Sequence, residues 1–243
     1  VLSVVISLLI IRKRKFPFVF HKKDIGFDRK RMGEVFRLGF PIAFQDVLVG
    51  ISFLAITAIV NSLGVIPSAG VGVAEKLCGF IMLVPSAFNQ SMAAFVSQNM
   101  GAGETRRAKK ALLCGIEMSV AVGVLMAYGA FFHGDILSGV FARDGEVIAA
   151  SAEYLKAYAI DCLLVSVMFC MIGYFNGCGK TLFVMVQGIV GAFGVRIPVS
   201  FLMSRMVPVS LFGVGLATPC SSAVQIVLCV GYFFWVNRKV AHG

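Results

Sequence analysis

The chain has 243 residues, of which 58% are hydrophobic and only 14% are charged, and its mean hydropathy is +0.90. A water-solvated core of this length does not require so apolar a composition, which argues against a soluble enzyme. The net charge is +10. The basic residues are spread over several short loops rather than one face with interleaved aromatic rings, which argues against a nucleic-acid binder. The composition therefore predicts a membrane protein.

The chain begins with a short apolar segment and a basic stretch. Residues 1–11 are apolar, whereas about 20 apolar residues are needed to cross a bilayer as a helix. Positive charge follows this run rather than preceding it, unlike a signal peptide, so we expect the tail of a membrane helix that starts before this sequence. For residues 12–38 we expect a cytoplasmic linker between two membrane lobes, with attraction to anionic lipids as an alternative role.

Six long apolar stretches follow, each long enough to form a membrane-spanning helix. They cover residues 40–63, 68–96, 111–132, 152–175, 182–203 and 211–236. Gly64 and Pro67 predict a tight hairpin after the first stretch, while Pro85 and Pro198 predict breaks inside two others. We therefore predict an all-α polytopic bundle, with a six-helix lobe over 39–237 and a cytoplasmic tail over 238–243.

The basic residues predict the orientation of this lobe. Seventeen of the 22 lysines and arginines lie on one side of the predicted spans and three on the other, while Lys76 and Arg196 fall within spans. Because cytoplasmic loops are enriched in basic residues, the linker and the C-terminus are predicted to be cytoplasmic in a multi-pass plasma-membrane protein. Tyr128, Tyr154 and Tyr158 are expected to mark the outer interface.

Ionisable side chains within spans are costly, so each is a candidate functional group. Asp161 is the strongest candidate because it lies near the middle of its span. Tyr154, Tyr158 and Asp161 share one helical face, at i, i+4 and i+7. We expect them to line a cavity in which the carboxyl group binds a proton or cation and the rings contact an organic cation. The alternative is that Asp161 pairs with Arg196 and the tyrosines are interface anchors.

Other polar residues in the spans complete the set of candidates. Glu75 and Lys76 are adjacent on a helix and do not face each other, so we expect one of them to point inward. Glu117 is expected to be a snorkelling or helix-pairing acid. The further candidates for ion coupling or substrate binding are Asp46, Gln45, Glu75, Asn89 and Arg196.

The sequence lacks the usual signatures of an enzyme or a metal site. Its seven cysteines have no metal-ligand spacing and are interpreted as small buried side chains. Neither H-E-x-x-H nor G-x-S-x-G occurs. Gly179, Lys180 and Thr181 imitate a phosphate-binding loop, but Tyr174 replaces its first glycine, so we expect a tight turn. We predict no enzymatic activity and no cofactor, with Na⁺ or H⁺ as a coupling ion.

Several short motifs occur in the order found in one transporter family. Residues 96–103, Val-Ser-Gln-Asn-Met-Gly-Ala-Gly, followed by Arg-Arg-Ala at 106–108, resemble the end of the eighth helix of multidrug and toxic compound extrusion (MATE) transporters. Residues 39–43 resemble the opening of the seventh helix, 141–155 the outer loop and start of the tenth, and 174–177 the end of the tenth. The ordered set covers nearly the whole chain.

This resemblance implies the tail of helix six, the linker between lobes and the C-terminal lobe of a roughly twelve-helix antiporter. Such a protein exports cationic or amphipathic drug-like compounds against inward Na⁺ or H⁺ flow, in contact with membrane lipids and its N-terminal lobe. In one branch of the family, acids of the seventh and tenth helices would fall near Val49 and Val165, about one turn from Asp46 and Asp161. In another branch the ion site lies in the other lobe.

Two alternatives stay open from the sequence. A lipid-linked precursor or polysaccharide flippase of the same superfamily would have a basic cavity, which makes Arg196 informative. A non-transporting receptor or scaffold lobe would have its intramembrane acids neutralised by pairing and no open cavity between lobes. The position of Arg196 and the partners of the acids distinguish these possibilities.

Overall fold

The computed structural model describes residues 5, 6, 9, 10, 26 and 28–241, with side chains up to residue 238. The chain divides into two units, Val1–Arg37 and Leu38–Gly243. In the first unit, Val5, Ile6, Leu9 and Ile10 are helical. The rest of the expected helix tail at 1–11 and most of the expected linker lie outside the described residues.

Within residues 28–241 the chain is helical apart from short turns. The helices are α1 (Arg29–Asn61), α2 (Val65–Ile81), α3 (Leu83–Gly101), α4 (Thr105–Phe132), α5 (Gly134–Gly139), α6 (Gly145–Gly177), α7 (Thr181–Ile189), a π-helical segment (Val190–Arg196), α8 (Ile197–Arg205), α9 (Leu211–Gly215) and α10 (Ala217–Ala241). Six stretches within residues 28–241 are long and apolar enough to cross a membrane, with α2–α3, α7–α8 and α9–α10 each forming one of them. The predicted all-α, six-span architecture is confirmed.

Helix α1 begins earlier than the sequence suggested. The linker was expected to extend to residue 38, but the helix starts at Arg29. Asp28 caps it, because its carboxylate accepts hydrogen bonds from the backbone N–H groups of Lys30 (2.9 Å) and Arg31 (3.3 Å). A carboxylate at this position satisfies free N–H groups and complements the helix dipole. The basic residues from 29 to 37 therefore form the first turns of α1. Helix α10 similarly runs to Ala241, into the expected tail.

The structure confirms two of the predictions made from proline and glycine positions and contradicts a third. Gly64 has a φ of +116° in the turn between α1 and α2. Helix α2 ends at Ile81, and Pro85 lies in the first turn of the next helix, α3. These two predictions are confirmed. The predicted break at Pro198 is wrong, because the helix continues through the π-helical segment into α8. A π turn absorbs local disruption of the i→i−4 hydrogen-bond ladder, such as that caused by the missing N–H of proline.

Helix α6 is the central element of the lobe. It contacts α2, α3, α4, α5, α7, α9 and α10, and 67% of its membrane window is buried, the largest share among the six spans. Two apolar clusters pack along it. One includes Tyr154, Leu155 and Cys162, and the other extends from Val165 to Phe175. Asp161 lies at the junction between these clusters.

Small residues allow the neighbouring helices to approach α6 closely. A Cβ atom at Gly173 would lie 2.4 Å from the carbonyl oxygen of Asn89 on α3. One at Gly123 on α4 would lie 2.3 Å from the hydroxyl of Ser166. Because lipid is as apolar as the helix surfaces, helices in membranes associate through such close contacts rather than through the hydrophobic effect.

We therefore expect Gly173→Leu to destabilise the fold by about 3 kcal/mol or more, since a side chain there forces α3 away from α6. The matched control is Gly129→Leu, because a Cβ atom at Gly129 meets nothing within 4 Å. Thermal unfolding of the purified full-length protein measures both variants. Equal unfolding midpoints for the two would contradict this account of the α3–α6 contact.

Candidate functional site

Asp161 lies at the midpoint of the 33-residue helix α6. Its side chain is 0% exposed, and among the described residues neither carboxylate oxygen has a hydrogen-bond partner. The hydroxyl of Ser222 on α10 lies close enough to interact with the carboxylate but does not reach hydrogen-bonding geometry. A buried carboxylate without such partners is costly and marks a place where a proton or cation is favoured.

Arg196 is the positive counterpart of Asp161. It ends the π-helical segment, is 5% exposed, and interacts electrostatically with Asp161 without forming a direct ion pair in the described part of the chain. Its Nη1 donates a hydrogen bond to Ser52 Oγ on α1 (3.1 Å), and its guanidinium lies 4.5 Å from the centre of the Phe53 ring. Helix α1 therefore holds the arginine that balances the charge on α6.

We call Ser52, Asp161, Arg196 and Ser222 the charged cluster. It joins three spans, α1, α6 and α10, to the π-helical segment of a fourth. In the described part of the lobe, the Nε atom of Arg196 also lacks a hydrogen-bond partner. The cluster is thus close to electrically balanced but incompletely hydrogen-bonded, which makes its buried charges costly.

Two glutamines pack against α7 and the π-helical segment where glycines leave room. A Cβ atom at Gly188 would lie 2.7 Å from the side-chain nitrogen of Gln45, and one at Gly191 would lie 2.3 Å from that of Gln225. The hydroxyl of Ser221 donates to the carbonyl of Gly191 (2.7 Å). The predicted candidate Gln45 is therefore buried between α1 and α7, and the π-helical carbonyl of Gly191 is satisfied by α10.

The other predicted candidates occupy varied positions. Asp46 is exposed on the surface of α1, although its neighbour Gln45 is buried. Asn89 is half-buried, with its backbone carbonyl facing Gly173. Glu75 is half-buried and Lys76 is exposed, so Glu75 is the member of that pair that points inward. The structure does not bring Asp46 to the charged cluster.

A separate cavity of about 330 Å³ contains Glu75. It lies between α1, α2 and α6, and we call it the Glu75 cavity. Its lining residues are Phe53, Leu54, Thr57, Glu75, Cys78, Gly79, Met82, Tyr154 and Tyr158. The hydroxyl of Thr57 lies 3.2 Å from Glu75 Oε1 and 3.0 Å from the backbone carbonyl of Phe53, so its one proton is shared between these two acceptors.

The tyrosines of α6 correct one expectation. Tyr154 and Tyr158 are 3% and 4% exposed, so they do not mark the outer interface, whereas Tyr128 is 58% exposed. The reason is that the face of α6 that carries both rings packs into an apolar cluster shared with α2. The two tyrosines line the cavity with Glu75, while Asp161 is not among its lining residues. The expected combination of two tyrosine rings and a carboxylate is therefore present, but the acid is Glu75 instead of Asp161.

Comparison with known proteins now identifies the family. A family profile described as MatE matches residues 41–202, which is more than half of the chain. The chain belongs to the MatE family. It is 26% identical over 238 residues to the probable multidrug resistance protein YoeA of Bacillus subtilis, a match that covers 96% of this chain and 51% of that protein. The chain thus spans about half the length of the relatives it matches.

Solved structures agree with this fold. A crystal structure of a MATE in complex with MaL6 aligns with a TM-score of 0.84 and 13% identity, covering 99% of this chain and 55% of that one. An outward-facing multidrug resistance MATE transporter of the MOP superfamily aligns with a TM-score of 0.76 and 19% identity, covering 84% and 45%. At these identities the likeness establishes the fold. This chain is therefore about half of a MatE protein with several membrane spans.

Sequence reasoning missed three hydroxyl residues in this MatE lobe. Ser52 holds Arg196, Ser222 lies beside Asp161, and Thr57 lies beside Glu75. Serine and threonine are common in membrane helices and carry no charge, so they did not stand out. A useful signal is that hydroxyl side chains in spans often form hydrogen bonds across helices, which makes them candidate partners for each ionisable residue.

We expect Arg196→Gln to lower stability by about 3 kcal/mol or more, because it leaves the buried Asp161 charge without its counterpart. Adding Asp161→Asn is expected to restore at least about 1 kcal/mol, since the two residues are coupled. Thermal unfolding of the full-length protein measures each variant. Arg205→Gln is the matched control, because Arg205 also lies near an aromatic ring (5.1 Å from Phe201) but is exposed. Additive costs of the two substitutions would exclude charge compensation.

Proposed function

We propose that this chain is the C-terminal half of a secondary active antiporter that exports cationic or amphipathic compounds in exchange for Na⁺ or H⁺. The observation that carries this proposal is the fully buried Asp161 carboxylate at the centre of α6, without a hydrogen-bond partner among the described residues. The names of its relatives, which include multidrug resistance and multidrug export proteins, support the substrate class. The N-terminal half would complete the transport pathway.

Asp161 has the physical properties that ion coupling requires. A carboxylate in a low-dielectric environment gains most from a proton or a small cation, because nothing else there fully compensates its charge. Arg196 supplies partial compensation through space, which keeps the empty state accessible. Binding at Asp161 therefore changes the charge balance across α1, α6 and the π-helical segment, which supports a conformational response to occupancy.

Asp46 is a second proposed ion or cation site in this function. It is exposed on α1 within this half. An acidic side chain within a span is unfavourable against lipid, so a position facing the other lobe or an aqueous cavity would explain it. The basic loops support an orientation with the linker and C-terminus in the cytoplasm, which makes the transport direction outward.

The two alternatives fit these observations less well. A flippase for lipid-linked precursors would present basic side chains to its cavity, yet Arg196 is held against Ser52 and Phe53 and does not line the Glu75 cavity. A receptor or scaffold lobe would have its intramembrane acids neutralised by pairing and no open cavity between lobes. Within the described residues, no ion pair reaches Glu75 or Asp161.

The test is export by the full-length transporter in vesicles under imposed Na⁺ or H⁺ gradients. We expect Asp161→Asn to reduce gradient-driven export by about tenfold or more, in the range typical of coupling free energies. Asp46→Asn is tested separately. Glu117→Gln is the matched control, because Glu117 is an acid within a span that is exposed on α4 and outside the charged cluster, and its export should equal that of the unaltered protein. Gradient-driven export that survives both aspartate substitutions would reject the proposed coupling sites.

A further inference from the structure

Another cavity lies at the end of α4 that is remote from the basic first turns of that helix. It has a volume of about 380 Å³ and lies where α4, α5 and the first third of α6 meet. Its lining residues are Phe131, Phe132, Gly134, Asp135, Ala152 and Lys156, and we call it the Lys156 cavity. It shares no lining residue with the Glu75 cavity. We propose that the Lys156 cavity binds the headgroup of a phospholipid that carries a primary ammonium group, namely phosphatidylethanolamine.

Two opposite charges line this cavity without neutralising each other. The carboxylate of Asp135 and the ammonium group of Lys156 both border it, and within the described residues they form no ion pair. Both side chains are exposed, so both are accessible to a ligand. A ligand with a phosphate and an ammonium group satisfies the two side chains at once through charge-assisted hydrogen bonds. A ligand with a single charge would be attracted by one of them and repelled by the other.

The cavity lies at the level where the membrane meets water. Helix α4 is a membrane-spanning stretch that ends at Phe132. Tyr128, Phe131 and Phe132 in its last turns are exposed. The ring of Phe132 packs against the other two, with ring centres 5.0 Å from Tyr128 and 5.1 Å from Phe131. Exposed aromatic rings at the end of a span are typical of the headgroup region of a bilayer. A lipid headgroup is therefore the ligand that this position favours.

The two charges lie at different depths, in the order that a phospholipid requires. A Cβ atom built on Gly134 would lie 3.5 Å from the Cα atom of Ala152, so residue 152 of α6 is level with the end of α4. Asp135 follows Gly134 directly, whereas Lys156 is one turn, about 6 Å, further along α6 towards the middle of the lobe. In a phospholipid the phosphate is the deeper group and the ammonium group is the outer one. This order places the phosphate at Lys156 and the ammonium group at Asp135.

The size and chemistry of the cavity indicate which headgroup it accepts. Its volume of about 380 Å³ is near the lower limit of ligand pockets, about 300–1,000 Å³, so it holds a headgroup while the acyl chains stay in the bilayer. Phe131 and Phe132 offer those chains an apolar surface at its border. A primary ammonium group has three N–H donors for Asp135, whereas the trimethylammonium group of phosphatidylcholine has none. Phosphatidylglycerol has no ammonium group, and its negative charge is repelled by Asp135.

The experiment measures which lipid lies next to the cavity in the full-length protein. Tyr128→Trp introduces a fluorescent reporter beside it, because Tyr128 packs against Phe132 but does not line the cavity. The reporter protein is reconstituted into dioleoylphosphatidylcholine vesicles that contain one probe lipid with brominated acyl chains, which quench nearby tryptophan. The probe is phosphatidylethanolamine or phosphatidylglycerol. Subtracting the signal of the protein without Tyr128→Trp removes the contribution of other tryptophans, including Trp235.

Two substitutions are expected to act differently on the two probes. The ethanolamine probe should be enriched about threefold at the reporter over phosphatidylcholine, the size typical of an exposed charge interaction. Asp135→Asn should abolish this enrichment, because it removes the acceptor for the ammonium group. Lys156→Gln should reduce quenching by the glycerol probe about threefold, because it removes the attraction for its phosphate. The matched controls Glu146→Gln and Arg143→Gln remove exposed charges from the same end of the lobe, outside the cavity, and should change neither probe.

Three results would overturn the proposal. They are an ethanolamine probe that is not enriched over phosphatidylcholine, an enrichment that survives Asp135→Asn, and a glycerol probe that is unaffected by Lys156→Gln. If Asp135→Asn fails to fold, the enrichment on the unsubstituted reporter protein still decides the matter. Soluble phosphoethanolamine is added as a competitor. Loss of the enrichment at millimolar competitor would assign the cavity to a soluble zwitterion instead of a lipid, whereas retained enrichment supports the lipid.

Discussion

The structure depends on how a charge is accommodated inside a bundle that is itself surrounded by lipid. Asp161 is buried at the centre of the most buried helix, and Arg196 reaches towards it from the π-helical segment. A charge at this depth requires compensation from within the protein, because lipid offers none. This requirement explains why α1 supplies a hydroxyl and a ring face to Arg196, and why α10 places Ser222 next to Asp161.

The helical packing provides that compensation at short range. Glycines on α4, α6, α7 and the π-helical segment remove side-chain bulk where polar groups or the neighbouring backbone must enter. Gln225, for example, occupies space that a side chain at Gly191 would fill, and the carbonyl of Gly191 binds Ser221. The π turns keep the chain helical up to Pro198 and end at Arg196. The same small residues therefore allow the helices to pack closely and the buried polar groups to form hydrogen bonds.

The sequence predicted the spans well because their signal is strong and local. A run of about 20 apolar residues seldom occurs outside a membrane-spanning helix, and basic loops separate the runs. The same reasoning identified Asp161, Arg196 and Glu75, since charged residues stand out in such runs. It failed for Tyr154 and Tyr158, which were expected at the membrane interface, because the sequence does not show which face of α6 packs against α2; both rings are buried in the apolar cluster that the two helices share.

The relation between the candidate residues was not predictable, because it depends on how distant segments meet. Ser52 and Arg196 are 144 positions apart and touch through a single hydrogen bond. The i, i+4, i+7 pattern predicted one shared face for both tyrosines and Asp161, but a helix face is wide enough to contact two neighbours. The tyrosines face α1 and α2, whereas Asp161 faces α10 and the π-helical segment. The spacing of residues along a helix predicts which of them share a face, but it does not predict which neighbouring helices that face contacts.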